Sequence, residues 1–134
     1  MKRRTFVLLT VAGVAVIAAP FAIWRRHSYS LAKTLGEPQF LSYICDDKTI
    51  QDIGAAYRAR TPDEASQDKL ISLLLASGGS NHGQSNTEAD DAHLIQQLDN
   101  AVREDYVAGK VLTINGWVLS LTEARQCALY SLSK

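Results

Sequence analysis

The sequence predicts a mainly α fold: a small helical bundle with one C-terminal β-hairpin, preceded by an N-terminal helix of signal or transmembrane type. Three observations predict it. Apolar residues recur at spacings of three and four through most of residues 38–132. Asn115-Gly116 separates two short β-prone runs. Of the 19 residues Phe6–Trp24, 16 are apolar. A chain of 134 residues has room for one domain and an appendage.

Charge divides the chain in the same way. Lys2, Arg3, Arg4, Arg25 and Arg26 precede residue 28, and the first acid is Glu37. The remainder carries 9 basic against 14 acidic residues. An acidic domain repels phosphate, which disfavours a nucleic-acid partner.

Residues 1–27 read as an export address. Positive charge followed by an apolar run is the pattern of a secretory signal. Arg3-Arg4, with Phe6 at the next-but-one position and aliphatics after it, looks like a twin-arginine signal read by the Tat export machinery. A Sec signal or signal-anchor begins similarly. As a helix the apolar run is about 28 Å long, close to the roughly 30 Å of bilayer hydrocarbon. Trp24 stands where an indole suits the membrane interface. The three basic residues ahead of the run outnumber Arg25 and Arg26 behind it, which favours the N-terminus inside. Cleavage after Ala18 or Ala19 is the alternative. The expected location is a bacterial inner membrane with a periplasmic domain, or the soluble periplasm if the signal is cleaved.

Ser28–Glu37 reads as a polar tether, and the helical domain as residues 38–134. Pro38 suits a first helical turn, and Phe40, Leu41, Tyr43 and Ile44 make a short apolar helix ending near Cys45. Asp46 or Asp47 caps the next helix, whose inner face carries Ile50, Ile53 and Tyr57. Gly54 within it permits close packing by a neighbour. Thr61-Pro62-Asp63-Glu64 combines a capping hydroxyl, Pro at the first helical position and a capping-box glutamate. It predicts a helix through Leu70, Ile71, Leu73, Leu74 and Leu75, buried on more than one side and stopped by Gly78-Gly79. The Gly-, Ser- and Asn-rich stretch 77–86 reads as a mobile loop.

Thr87 with Asp90 starts a long helix to about Ala108. Leu94, Leu98, Val102 and Tyr106 line one face, and Gly109 ends it. Residues 111–119 then form the hairpin, since both central residues of a type I′ turn need positive φ. Ser120 with Glu123 is a capping box for a last helix with Leu121, Ala124, Cys127, Ala128 and Leu132 on one face.

Candidate chemistry is sparse. Cys45 and Cys127 are an even pair, so export would make a disulfide possible. Closing a loop of about 80 residues would contribute on the order of 4 kcal/mol. Equally, Cys127 on an apolar face suits a free thiol acting as a small hydrophobe. A metal site would have to rest on His82, Asp90, Asp91 and His93, which lack ligand spacing. Nucleotide, metalloprotease and hydrolase motifs are absent from the sequence. Asp46-Asp47, Asp63-Glu64, Asp90-Asp91 and Glu104-Asp105 are adjacent pairs, which do not face each other on a helix and make poor acid/base partners. Arg58, Arg60, Asp63 and Glu64 read as a solvated charge cluster. No catalytic, cofactor-binding or metal residue is assigned.

Together, Arg3-Arg4, Phe40-Leu41, Cys45-Asp46, Ile53-Gly54, Tyr57, Pro62, Glu64 and the stretch Asn115–Arg125 resemble the small twin-arginine-signal subunits that accompany membrane-associated flavin dehydrogenases, of the gluconate dehydrogenase subunit 3 type. The resemblance covers most of the chain, and its motifs have low specificity. It implies a non-catalytic accessory subunit that assists export, assembly or membrane attachment of a large sugar or alcohol dehydrogenase subunit. The flavin would belong to that partner. The hairpin pattern itself puts Trp117 in the core with its indole N–H paired at the edge; the resemblance implies instead an apolar contact face around Tyr106 and Trp117. The alternative is an independent membrane-tethered interaction or scaffold domain, and a third reading is a metal-binding protein.

Overall fold

A computed structural model describes residues 31–78 and 88–133. The chain divides into two compact units, Met1–Leu31 and Ala32–Lys134. The export-signal residues Arg3, Arg4 and Phe6, the whole Phe6–Trp24 run, Thr87, and His82 with most of its loop lie outside the described residues. Among the described residues no helix is long and apolar enough to cross a membrane.

The second unit is helical with one C-terminal antiparallel hairpin. Residues 31–35 are helical (α1). They are followed by α2 (Leu41–Ile44), α3 (Asp47–Arg60), a 3-10 turn (Pro62–Glu64), α4 (Gln67–Ser77) and α5 (Glu88–Ala108). The hairpin β1 (Val111–Ile114) and β2 (Trp117–Ser120) leads directly into α6 (Leu121–Leu132). Polar tether was the expectation for 28–37, and its second half is corrected. Ala32 and Leu35 are fully buried, and the Gln126 side-chain amide donates to the Leu35 carbonyl at 3.1 Å.

Local chemistry accounts for most boundaries. The Asp46 carboxylate accepts from the Thr49 N–H at 2.8 Å and caps α3. Gly109, at φ 72°, ends α5. The Lys110 N–H bonds the Asp105 carbonyl at 2.8 Å and the Gly109 N–H bonds the Tyr106 carbonyl, a Schellman closure. Asn115 and Gly116 have φ of 51° and 83°, as a type I′ turn demands. They set the register Ile114↔Trp117, Thr113↔Val118, Leu112↔Leu119 and Val111↔Ser120.

The segment 61–66 departs from expectation. Pro62–Glu64 is only one 3-10 turn, and the next helix starts afresh with Ser66 as its cap, accepting from the Lys69 N–H. Thr61 makes no side-chain cap; its hydroxyl donates to the Tyr57 carbonyl at 2.8 Å. The reason lies with Glu64, whose carboxylate is taken by residues far away in sequence.

The core is arranged around α6, which packs against α3, α4 and α5. Ile50, Ile53 and Tyr57 of α3 face it, with Leu70 and Leu74 of α4 and Leu94, Leu98 and Ala101 of α5, all buried. The closest approach is between α3 and α6. A Cβ built on Gly54 would lie 2.0 Å from the Cys127 carbonyl oxygen and 2.5 Å from its carbon, so no side chain fits without moving a helix. The single apolar face expected of α6 is also corrected. Thr122, Glu123, Ala124, Gln126, Cys127, Ala128 and Leu129 are all buried, whereas Leu121 and Leu132 are half-buried. A helix surrounded by three others must bury polar residues, and each of these finds a partner.

Candidate interaction surface

The polar partners of α6 determine what the domain can offer chemically. At its N-terminus the capping box forms in both directions. The Ser120 hydroxyl accepts from the Glu123 N–H at 3.0 Å, and the Glu123 carboxylate accepts from the Ser120 N–H at 2.9 Å. The same Glu123 oxygen accepts the Tyr106 hydroxyl at 2.9 Å. Asp105, one residue earlier on α5, accepts from both the N–H and the hydroxyl of Thr122 at 2.8 and 2.7 Å. Two carboxylates therefore meet the free N–H groups and positive dipole end of α6.

One turn further on, Arg125 donates through Nε and Nη2 to the two oxygens of Glu64, at 3.0 and 2.9 Å. The Tyr57 hydroxyl donates to Glu64 as well. The paired guanidinium holds the Glu64 carboxyl below the usual carboxylate range. Burial, then the bond to Glu64, pushes the Tyr57 phenol up. The expected solvated cluster of Arg58, Arg60, Asp63 and Glu64 is thereby corrected. Glu64 belongs to Arg125, Arg58 donates to the Ser131 hydroxyl, and Arg60 donates to the Thr113 carbonyl at 2.6 Å. The last contact occupies the Thr113 carbonyl of β1, which would otherwise be free to accept from another strand.

Of the proposed metal residues, Asp91 and His93 are exposed on the first turns of α5. Among the described residues no group of three or more His, Cys, Asp or Glu side chains could hold a metal ion. Both cysteines are free thiols. Cys127 is fully buried, and burial, followed by the Glu123 charge, pushes its thiol up to about 12. Such a thiol is unreactive and packs as a hydrophobe. Cys45, at the end of α2, is half-buried and its thiol is also raised by burial.

A groove between residues 34–40 and α5, lined by Thr34, Gln39, Phe40, Leu98, Val102 and Gln126, holds only about 20 Å³. That admits a water molecule, not an organic substrate. What the domain does expose is apolar surface. Tyr106 is 46% exposed and Val107 90%, and on the outer hairpin face Val111 is 42% and Val118 60% exposed. Trp117 stands on the hairpin face opposite Val111 and Val118, paired with buried Ile114, and is half-buried. The valines were not singled out in the sequence, although the signal was there. Val111 and Val118 alternate out of phase with Leu112, Ile114 and Leu119, and Val107 lies off the 94-98-102-106 stripe. No family model, curated protein or solved structure matches this chain.

Proposed function

We propose that the protein is a non-catalytic accessory subunit, exported by the twin-arginine route and held at the inner membrane by residues 1–27. There it assists assembly or attachment of a large flavin-containing sugar or alcohol dehydrogenase subunit. The observation that carries this reading is the exposure of the apolar side chains Tyr106 and Val107 at the end of α5 and of Val111 and Val118 on one hairpin face. Exposed branched side chains on a hairpin suit a protein contact. The domain's buried polar side chains, by contrast, are engaged in joining helices.

The test is affinity purification of the full chain from a mild-detergent extract. The expected result is co-purification of a yellow large subunit with sugar or alcohol dehydrogenase activity, diminished by the double substitution Val107→Ser/Val118→Ser. A solitary protein, or a colourless partner, would favour the scaffold reading. Arg3→Lys with Arg4→Lys should block export; unimpaired export would remove the twin-arginine element.

A further inference from the structure

A second apolar surface lies at the other end of the domain's sequence. Phe40, Tyr43 and Ile44 stand at i, i+3 and i+4, so they share one face of the turn around α2. They are 65%, 86% and 53% exposed, while Leu41 is the buried residue of this helix. The backbone that carries them is held by its own bonds. The Ser42 hydroxyl lies 3.0 Å from the Pro38 and Gln39 carbonyls, the Cys45 N–H bonds the Leu41 carbonyl at 2.8 Å, and Asp46 then caps α3. Three large apolar side chains are therefore presented to the surroundings on a fixed turn.

Chain length and charge select what covers them. On the reading above, in which Phe6–Trp24 is retained as a membrane anchor, Trp24 marks its outer end and Phe40 follows 16 residues later. At roughly 3.5 Å per residue the connection spans no more than about 56 Å, and the helical residues 31–35 shorten it further. The face is thus tethered within reach of one bilayer surface, where even weak affinity is amplified by effective concentration. Exposed Glu37, Asp46 and Asp47 flank it and outnumber exposed Lys33 and Lys48, so its surroundings disfavour anionic headgroups. A phenyl ring, a phenol and a branched aliphatic suit the headgroup–acyl boundary, where Tyr keeps its polar tip wet. We propose that the Phe40–Tyr43–Ile44 face rests in the interface of zwitterionic phospholipid, on the side of the membrane where Trp24 emerges.

The experiment uses the full chain reconstituted in phosphatidylcholine vesicles. An environment-sensitive fluorophore is placed at Tyr43→Cys in a Cys45→Ser background, leaving the buried Cys127 in place, with Asp63→Cys as the comparison site. Nitroxide-headgroup lipid should quench the probe at position 43 several-fold more than at position 63. Adding Phe40→Ser and Ile44→Ser should bring the two sites level without releasing the chain from carbonate-washed vesicles. Equal quenching at both sites in a carbonate-resistant chain would overturn the lipid contact and leave the anchor standing. Release by carbonate would overturn the anchor, and the tethered contact with it. Concentration-dependent shielding of position 43 in lipid-free micelles would assign the face to a second copy of the chain and overturn the lipid contact.

Discussion

Two stretches of this chain carry the same helix-start pattern, and only one of them becomes a capping box. Ser120-Leu121-Thr122-Glu123 closes reciprocally, hydroxyl to N–H and carboxylate to N–H. Thr61-Pro62-Asp63-Glu64 has the hydroxyl, the glutamate and a well-placed proline, yet yields one 3-10 turn with no side-chain cap. The difference is competition for the glutamate. Glu123 sits where Tyr106 adds a bond that leaves the cap intact. Glu64 lies beside Arg125, and a two-pronged charge-assisted pair outcompetes one neutral N–H. A local motif specifies a helix start only where no distant charge outbids it.

The comparison depends on α3 and α6 being in close contact, since Tyr57 and Arg125 approach Glu64 from those two helices. Gly54→Ala is therefore the largest expected perturbation. Its methyl would meet the Cys127 carbonyl at 2.0 Å, and overpacking of a backbone-to-backbone contact costs about 3 kcal/mol. The propensity gain of alanine over glycine, about 1 kcal/mol, offsets only part of that. Chemical denaturation of the full chain in mild detergent, followed by circular dichroism, measures it. A loss under about 1 kcal/mol would mean that the helices do not touch at Gly54.

Next in size is Glu123→Ala. It removes the carboxylate from a buried Ser120 N–H and strands the Tyr106 hydroxyl. Loss of a cap together with an orphaned donor costs about 2 kcal/mol. Glu123→Gln, which keeps an acceptor oxygen, should recover part of the loss in the same assay. Equal losses for both variants would show that charge, not acceptance, matters at this helix end.

How much of this was legible in the sequence follows the same division. Helix faces with a single burial direction were readable: Ile50, Ile53 and Tyr57 of α3, and Leu94 and Leu98 of α5, all lie in the core. So was the Asn115-Gly116 turn, because its chemistry is contained in two residues. Gly54 could be marked as a contact point, although its partner could not be named. What escaped was long-range. Arg125 and Glu64 are 61 residues apart, and no periodicity connects them. Burial of Gln126 and Thr122 also departs from the apolar pattern, because the Leu35 carbonyl and Asp105 satisfy them from other helices. The apolar surfaces were missed in part for the opposite reason: Phe40, Tyr43, Ile44 and Val118 look like core residues until the positions of their neighbours are known.

The two candidate caps around residues 61–66 provide a sharper test. Ser66→Ala should cost about 1 kcal/mol, since its hydroxyl accepts the Lys69 N–H at the start of α4. Thr61→Ala should cost at most about 0.5 kcal/mol, because its hydroxyl only donates back to the Tyr57 carbonyl. The reverse order would restore Thr61 as the helix start and remove the asymmetry between the two motifs.

The last test isolates the Arg125–Glu64 pair through its pH dependence. Pairing with Arg125 lowers the Glu64 carboxyl below its unfolded value, so the folded state releases this proton more readily than the unfolded chain. The stability it contributes is complete above the ordinary glutamate value of about 4.3. It is lost as pH falls through the lower folded value, where the carboxylate is neutralised in both states. Arg125 stays charged throughout. The stability difference between wild type and Glu64→Gln should therefore be flat near neutrality and shrink in acid, because the pair is largely withdrawn from water. Raising the salt concentration should reduce it further by screening. Denaturation midpoints of the two proteins at a series of pH values measure the curve. A difference that stays constant into strong acid would mean that Glu64 holds its place as a hydrogen-bond acceptor alone, and charge would no longer explain why its capping box fails to form.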